Sequence, residues 1–304
     1  MPLTQLNFLP GIDTENTETG AEGRWTDCDK VRFRKGLPQK IGGWVKFSLN
    51  YYVGVGRALF SWFSLDESRY QALGTNRKVY VYRSGTNADI TPLRQSNSLV
   101  NVFTTLNTSA NITVNHTAHG AAEGDFITIS NTSTANVGGI ANTSIDAEYQ
   151  IVSITNDNQY VITSNDTASS NVTTFANCDI AYQIPVGPAI QTFGFGWGTG
   201  TWNALAWNQP RTTSNVTIDM KQWSINNWGE DLILTQKNSG TYLWDESSGM
   251  TDNRATVIAN APTTSILSVV STETRHLICM GTETSIGNAS TQDKMFIRFS
   301  DQED

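Results

Sequence analysis

The stretch WSINNWGEDLILTQKNSGTYLWD, Trp223 to Asp245, decides the fold. Leu232, Ile233 and Leu234 form an apolar run of strand length, the turn set Lys237-Asn238-Ser239-Gly240 follows, and Tyr242-Leu243-Trp244 gives a second apolar and aromatic run. Two such runs joined by a loop of about four residues containing glycine read as a β-hairpin. A preceding strand is expected near Trp223 and Ile225, ended by Asn226-Asn227 and Gly229. The expected core of the unit is Leu232, Ile233, Leu234, Leu243 and Trp244.

The same pattern recurs on both sides. Upstream, RALFSWFS (Arg57 to Ser64), RYQALGT (Arg69 to Thr75) and VYVYRS (Val79 to Ser84) are separated by Leu65-Asp66-Glu67-Ser68 and Asn76-Arg77-Lys78. Downstream lie ILSVVST (Ile266 to Thr272), RHLICMGT (Arg275 to Thr282) and, after a polar loop, KMFIRFS (Lys294 to Ser300). Repeated antiparallel units of this size suggest β-propeller-like blades. A blade cannot bury both of its faces alone, so blades must stack on neighbours.

Composition agrees with an all-β chain. Of 304 residues, 38% are hydrophobic and only 16% charged, and nine are Trp. Thr, Asn, Ser and Gly dominate the polar fraction, and few segments carry the Leu/Ala/Glu/Lys makeup of helices. The formal net charge is −8, a poor starting point for nucleic-acid binding but suited to a pore through which a polyanion slides without sticking. Cys28, Cys178 and Cys279 are far apart and form no CxxC pair, so no zinc site is expected and reduced thiols are. No secretory signal and no membrane-spanning segment are expected either. Sequons such as Asn107-Thr108-Ser109 follow from the Asn/Thr-rich composition.

In chain order, residues 1–50 read as an extended N-terminal arm with an edge strand. There Val31 and Phe33 alternate with Lys30, Arg32 and Arg34, and Gly36-Leu37-Pro38 ends the strand. The basic face of Lys30, Arg32 and Arg34 fits contact with DNA or an acidic partner, or a charged edge that blocks strand pairing. Residues 51–95 form the first propeller-like blade. Residues 96–185 form an inserted small β-barrel or sandwich module, with strands expected at Asn111 to Asn115, Asp125 to Ser130, Glu148 to Thr155, Gln159 to Thr163 and Ile180 to Ile184. Residues 186–304 form further blades of a propeller that is either truncated or completed by other elements. His116-Thr117-Ala118-His119-Gly120 has two His three apart, which face opposite sides of a strand and have no evident third ligand, so no metal is expected. Residues 191 to 210, QTFGFGWGTGTWNALAWNQP, alternate Gly with Phe and Trp. They read either as packing between blades or subunits or as a ligand-stacking platform, and not as a phosphate loop.

These residues together carry a resemblance. The order FLPGI, GRWTDCDKVRFRKGLPQKIGGW, the Gly-aromatic run, WSINNWGEDLILTQKNSGTYLWD and RFSDQED resembles the tail hub or nozzle proteins of short-tailed phages, the phage stabilisation protein family. The segment HTAHGAAEGDFITIS with EYQIVSITNDNQYVIT resembles a small β module recurrent in phage tail and virion proteins. The resemblance implies a virion structural protein, assembled in the host cytoplasm into the tail as a homo-hexameric ring. Its implied partners are the adaptor or head–tail connector and tail fibre proteins. Its implied job is to extend and close the DNA channel below the portal, with DNA passing without specific binding, no cofactor and no catalytic residue. Proteins of this kind are usually longer, and three blade-like units are fewer than the roughly four that a closed propeller needs.

Two other classes stand beside it. One is a carbohydrate- or receptor-binding propeller using a Trp-rich rim. The other is a glycosidase, whose candidate carboxylates are Asp219, Glu230, Asp231, Asp245 and Glu246. The chain lacks the sialidase Asp-box and any GxSxG, HExxH or Walker pattern, and these carboxylates fall at expected turns, where Asp and Glu are ordinary.

Overall fold

The computed structural model describes residues 8–43, 45–48, 50–190 and 219–302. The chain divides into two units, Met1–Phe47 and Ser48–Asp304. The Gly-aromatic run of 191–210 lies outside the described residues.

The small unit is organised by an antiparallel hairpin of Val31–Arg34 and Leu37–Lys40. The first strand ends at Arg34, just ahead of Gly36-Leu37-Pro38, but Leu37 and Pro38 themselves open a second strand. The chain reverses at Lys35-Gly36, both at positive φ (51° and 79°), the geometry of a two-residue hairpin turn. Leu37–Lys40 then pairs back, with Pro38 opposite Phe33. A two-stranded ribbon has open edges that need no donor, so Pro38 is accommodated. Phe33 joins an aromatic cluster with Trp25, at 6.5 Å between centroids, and Trp25 with Phe8, at 5.6 Å. Residues before the hairpin thus fold onto it, with a bridge between Ile12 and Trp25, rather than running only as an arm.

Among the described residues the large unit contains three antiparallel meanders and a two-sheet sandwich. The first meander pairs Gly56–Phe63, Arg69–Thr75, Val79–Arg83 and Thr86–Asp89 in chain order. Its fourth strand carries no large apolar residue, which is why alternation does not reveal it. The second meander pairs Trp223–Trp228, Asp231–Gln236, Thr241–Trp244 and Thr256–Val257. The first of these strands runs through Asn226-Asn227, where it was expected to stop. The amide of Asn226 donates to the carbonyl of Ser268 at 2.9 Å in the next meander, so a turn-prone residue has a partner inside a strand. The third meander has three strands, Leu267–Val270, Leu277–Met280 and Ile297–Phe299.

The meanders stack face on face, because successive strand residues point to opposite sides. Leu232, Leu234 and Trp244 of the second meander pack with Trp62, Tyr70 and Val81 of the first. Ile233, between the two leucines, packs with Leu277 and Cys279 of the third. The first strands of the three meanders lie beside one another. Gly74 makes one contact possible: a Cβ there would sit 2.7 Å from the Trp223 indole. Without it, Trp223 lies on the first meander and its Nε1 donates to the carbonyl of Thr75 at 2.8 Å.

The sandwich lies between the first two meanders in sequence. One sheet has the order Glu148–Gln150, Phe126–Ser130, Cys178–Gln183, Leu93–Leu99. The other has Ser153–Asn156, Gln159–Thr163, Asn111–Asn115, Phe103–Thr105, Val172–Phe175. Both contribute to one core that includes Phe103, Ile112, Ile129, Tyr160, Ile162 and Tyr182. Among the described residues the two sheets do not close into a barrel. The single strand expected over Glu148 to Thr155 is two strands in different sheets. Buried Ile151 marks the crossing: Tyr149 and Ile151 alternate before it, Val152 and Ile154 after it, so the apolar phase slips by one residue where the chain changes sheets.

Candidate interaction surfaces

The hairpin of the small unit presents the sequence-predicted contact residues. Lys30 precedes its first strand at φ 57° and is exposed, as are Arg32 and Arg34, while Val31 and Phe33 are half-buried. Arg32 donates through Nε to Gln39 across the hairpin at 3.0 Å, and Lys30 lies 3.5 Å from Asp29 at the surface. Such exposed pairs contribute little to stability. Residues 30–46 contain six cations, Lys30, Arg32, Arg34, Lys35, Lys40 and Lys46, and no carboxylate. The whole chain has 20 cations and 28 carboxylates, which leaves 14 against 28, a balance of −14, on the remainder.

Four of the five candidate carboxylates converge. Glu230, Asp231, Asp245 and Glu246 line a cleft of about 500 Å³ together with Phe63, Ser64 and Arg275. Asp219 stands apart, paired with Lys237 at 3.2 Å. Each member of the cleft has a local partner. Glu230 accepts from the Ser64 hydroxyl at 2.6 Å and the Leu65 amide at 2.7 Å, and these bonds hold its carboxyl below its ordinary range. Asp245 accepts from the Ser247 amide at 2.9 Å and the Ser248 hydroxyl at 2.7 Å, and is likewise held low. Asp231 accepts from the Glu246 amide at 2.9 Å. Its carboxyl is pushed up, first by burial and then by the neighbouring charges of Asp245, Glu246 and Glu230. Glu246 accepts from the Tyr70 hydroxyl, which also accepts from Arg83 at 2.7 Å. Burial and Glu246 push the Tyr70 hydroxyl up to about 12. One raised and one lowered carboxyl in a cleft is the pattern of an acid–base pair. Here the same bonds also clip the turns of the first and second meanders together, the ordinary work of turn carboxylates.

The two close histidines are absorbed by the sandwich. Nδ1 of His116 bonds the Tyr182 hydroxyl at 2.7 Å, and Nε2 of His119 meets the Asn156 carbonyl at 3.0 Å. His119 also stands edge-on to Tyr160. Of the expected core residues, Leu232, Ile233, Leu234 and Trp244 are buried, and Leu243 is half-buried against the third meander.

Sequence alone did not single out the polar joint between sandwich and meanders. Nearly buried Lys78 of the first meander bonds Asp89 at 2.9 Å and also Glu148 of the sandwich, with its ammonium 4.7 Å from the Phe126 ring. Arg254, beside the second meander, reaches Asp89 at 3.2 Å and Glu148 at 3.8 Å. Burial pushes the Asp89 carboxyl up, but Arg254 and Lys78 outweigh it and hold the group below 3.8. A second buried cation, Lys221, donates to the Pro185 carbonyl at 2.7 Å and lies over Trp223. Burial brings its ammonium down to about 7. These residues are scattered over positions 78 to 254 and form no local motif, so no spacing pattern could have found them.

No protein-family model matches the chain, and no curated protein matches it. Among solved structures the chain is similar to the phage phi92 endosialidase, at 12% identity and a TM-score of 0.25, over 79% of this chain. The chain spans 37% of the length of that neighbour. A likeness at that score carries no argument about either fold or function.

Proposed function

We propose that this chain is a structural subunit of a short-tailed phage virion, a tail hub or nozzle ring that extends and closes the DNA channel below portal and adaptor. The observation that carries the proposal is the partition of charge. Six cations without a carboxylate sit on residues 30–46, and the remainder bears −14. An acidic body repels DNA weakly over about 8–10 Å at physiological salt, which favours transit over capture. A basic hairpin with Lys30, Arg32 and Arg34 outward suits an acidic neighbour in the ring or the adaptor. The motif resemblance and the stacked meanders support the same class of protein. In this proposal the subunits form a homo-hexamer, tail fibre proteins attach to it, and the chain is not an enzyme.

Electron micrographs of the purified protein and of tails carrying it provide the test. A ring with a central channel is the expected result. A lumen lined mainly by Lys and Arg, or tight binding of duplex DNA by the isolated protein at 150 mM salt, overturns the proposal. The second reading, a glycan-binding or glycan-cleaving propeller, is favoured by the convergence of Glu230, Asp231, Asp245 and Glu246. Release of reducing sugar from host surface glycan by the wild type, lost in Asp231→Asn, decides for that reading.

A further inference from the structure

The segment His116-Thr117-Ala118-His119-Gly120 follows the strand Asn111–Asn115 of the sandwich, and the proposed function makes no use of it. Its two imidazoles have different surroundings. His119 is buried and held by backbone. The Ala121 amide donates to its Nδ1 at 3.0 Å, so Nε2 carries the proton and donates to the Asn156 carbonyl. The His119 carbonyl accepts from the Gln95 amide at 3.1 Å and from Arg94, which also donates to the Gly120 carbonyl. His116 is half-buried and meets side-chain hydroxyls instead.

Nδ1 of His116 lies 2.7 Å from the Tyr182 hydroxyl, which lies 2.8 Å from the Tyr160 hydroxyl. Both tyrosines are fully buried, and they stand in different sheets of the sandwich. Burial pushes the Tyr182 hydroxyl up to about 12 and raises that of Tyr160 as well, so each phenol keeps its proton near neutral pH. Among the described residues Tyr182 is the one hydrogen-bond partner of the Tyr160 hydroxyl. Only one direction of the relay uses every donor. Tyr160 donates to Tyr182, Tyr182 donates to Nδ1, and the His116 proton sits on Nε2. In the reverse direction Nδ1–H donates to Tyr182, Tyr182 to Tyr160, and the Tyr160 proton has no acceptor. A buried donor left without an acceptor loses its full hydration.

We infer that this relay is an acid-sensitive clasp between the two sheets: a proton taken up by His116 reverses it, orphans the Tyr160 hydroxyl and releases the His116 ring. A protonated imidazole has N–H on both nitrogens and permits only the reversed relay. The ring also lines an open polar groove with Asn101, Asn158 and Gln159, so a ring released from Tyr182 has water to turn to. The surrounding charge acts in the same sense. Burial first, then His119 and Arg94, push the His116 imidazole below 6.5. The carboxylates of the neighbouring elements are engaged elsewhere or exposed. Asp125 accepts from the Ala122 and Val186 amides, and Asp179 from Ser98 and Asn131. Glu123 and Asp157 are exposed, and Cys178 is a buried thiol pushed up to about 12. A histidine whose folded value lies below its unfolded one leaves the unfolded chain with more bound protons, so stability falls as pH drops below 6.5 toward the folded value. The inference is independent of the ring proposal.

The test is nitrogen-15 NMR of the imidazoles in the full chain, which has three histidines, assigned through His116→Asn and His119→Gln. At about pH 8 His116 should carry its proton on Nε2, and its titration midpoint should lie below 6.5. Tyr182→Phe removes the donor to Nδ1 and should raise that midpoint, because the neutral ring loses its hydrogen bond. Urea unfolding then reads the clasp itself. His116→Asn sets an amide oxygen where Nδ1 stood and takes up no proton. Between about pH 7.5 and 5 the folding equilibrium of wild type should fall at least ~5-fold further than that of His116→Asn, the equivalent of one orphaned buried donor. A proton on Nδ1 at the higher pH, a midpoint at or above 6.5, or a midpoint that Tyr182→Phe leaves unmoved overturns the relay. Equal losses in wild type and His116→Asn overturn the clasp. If Tyr182→Phe does not fold, the tautomer, the wild-type midpoint and His116→Asn decide without it.

Discussion

The sandwich and the stack of meanders solve the same problem in different ways. Every β-sheet made of alternating residues with apolar groups on both sides has two faces to bury. The sandwich folds two sheets over one core, and Phe103, Ile112, Ile129, Ile162, Tyr160 and Tyr182 are all fully buried in it. The meanders are buried on both faces only in the middle of the stack. Leu232 and Leu234 reach one neighbour and Ile233 the other, whereas Phe63 at one end and Phe299 at the other stand exposed. Among the described residues the sandwich thus buries its core between its own two sheets, and a meander buries a face only against whatever lies next to it.

The largest expected effect tests that contrast directly. Residues 92–186 expressed alone should give β-type circular dichroism, melt cooperatively and resist protease. Residues 264–302, the third meander alone, should be unfolded, since a small isolated antiparallel sheet does not hold in water without packing. A disordered sandwich fragment or a folded meander fragment breaks the comparison.

Next in size is Trp244→Ala. The indole is fully buried between meanders and stands edge-on to Trp62 at 6.4 Å. Its removal should cost about 3–5 kcal/mol. In a thermal melt the change should appear in the transition of the meanders, and a separate sandwich transition should move little. A shift within error of zero means that the stack does not depend on this contact.

The joint between the two regions should respond somewhat less. Lys78→Met leaves Arg254 as the cation beside Glu148 and Asp89, and breaking such a buried pair on one side costs about 3 kcal/mol. Its pH dependence has a definite sign. A carboxylate whose folded value is depressed contributes stability above its unfolded value and loses it as pH falls through the folded one. The stability gap between wild type and Asp89→Asn should therefore hold at pH 6 and narrow below 3.8. Equal gaps at pH 6 and pH 2.5 count against the ion network.

Lys221 should behave in the opposite direction. Its ammonium falls from 10.5 to about 7 on burial. Between those values the unfolded chain binds more protons than the folded one, so stability rises with pH across that window. Lys221→Met should be more stable than wild type by about 1–2 kcal/mol at pH 6, with the difference shrinking toward pH 10. Urea unfolding at the two pH values measures it. The smallest expected effect belongs to the outer face of the third meander: Phe299→Asp should change the stability of this chain by less than about 0.5 kcal/mol, because an exposed side chain gives up no packing.

Much of the local structure was legible in residue order. The alternation in Arg57 to Ser64 and Arg69 to Thr75, and the hairpin around Lys237 to Gly240, follow from period-two patterning and turn chemistry, which act over a few residues. Strands failed to show where pattern and environment part company. Thr86–Asp89 is a polar edge strand without an apolar side to reveal it. Glu148 to Thr155 changes sheets at Ile151-Val152, where a one-residue slip of the apolar phase is the only mark and no turn residue stands. Asn226 and Asn227 look like a turn until the Ser268 carbonyl supplies a partner.

What the sequence determined by itself was the class of fold, all-β with repeated antiparallel units, and the uneven placement of charge that sets residues 30–46 apart. Both are sums over neighbouring residues, and neighbours are what a sequence displays. What only the tertiary structure decided was which strands share a core, that Glu230 and Glu246 meet in one cleft, that Lys78 holds Glu148 from 70 positions away, and which apolar faces are left open. Those depend on where the chain comes back to itself. The energy of a buried contact is fixed by distance in space and by the absence of water, and neither is written in the spacing of residues along the chain.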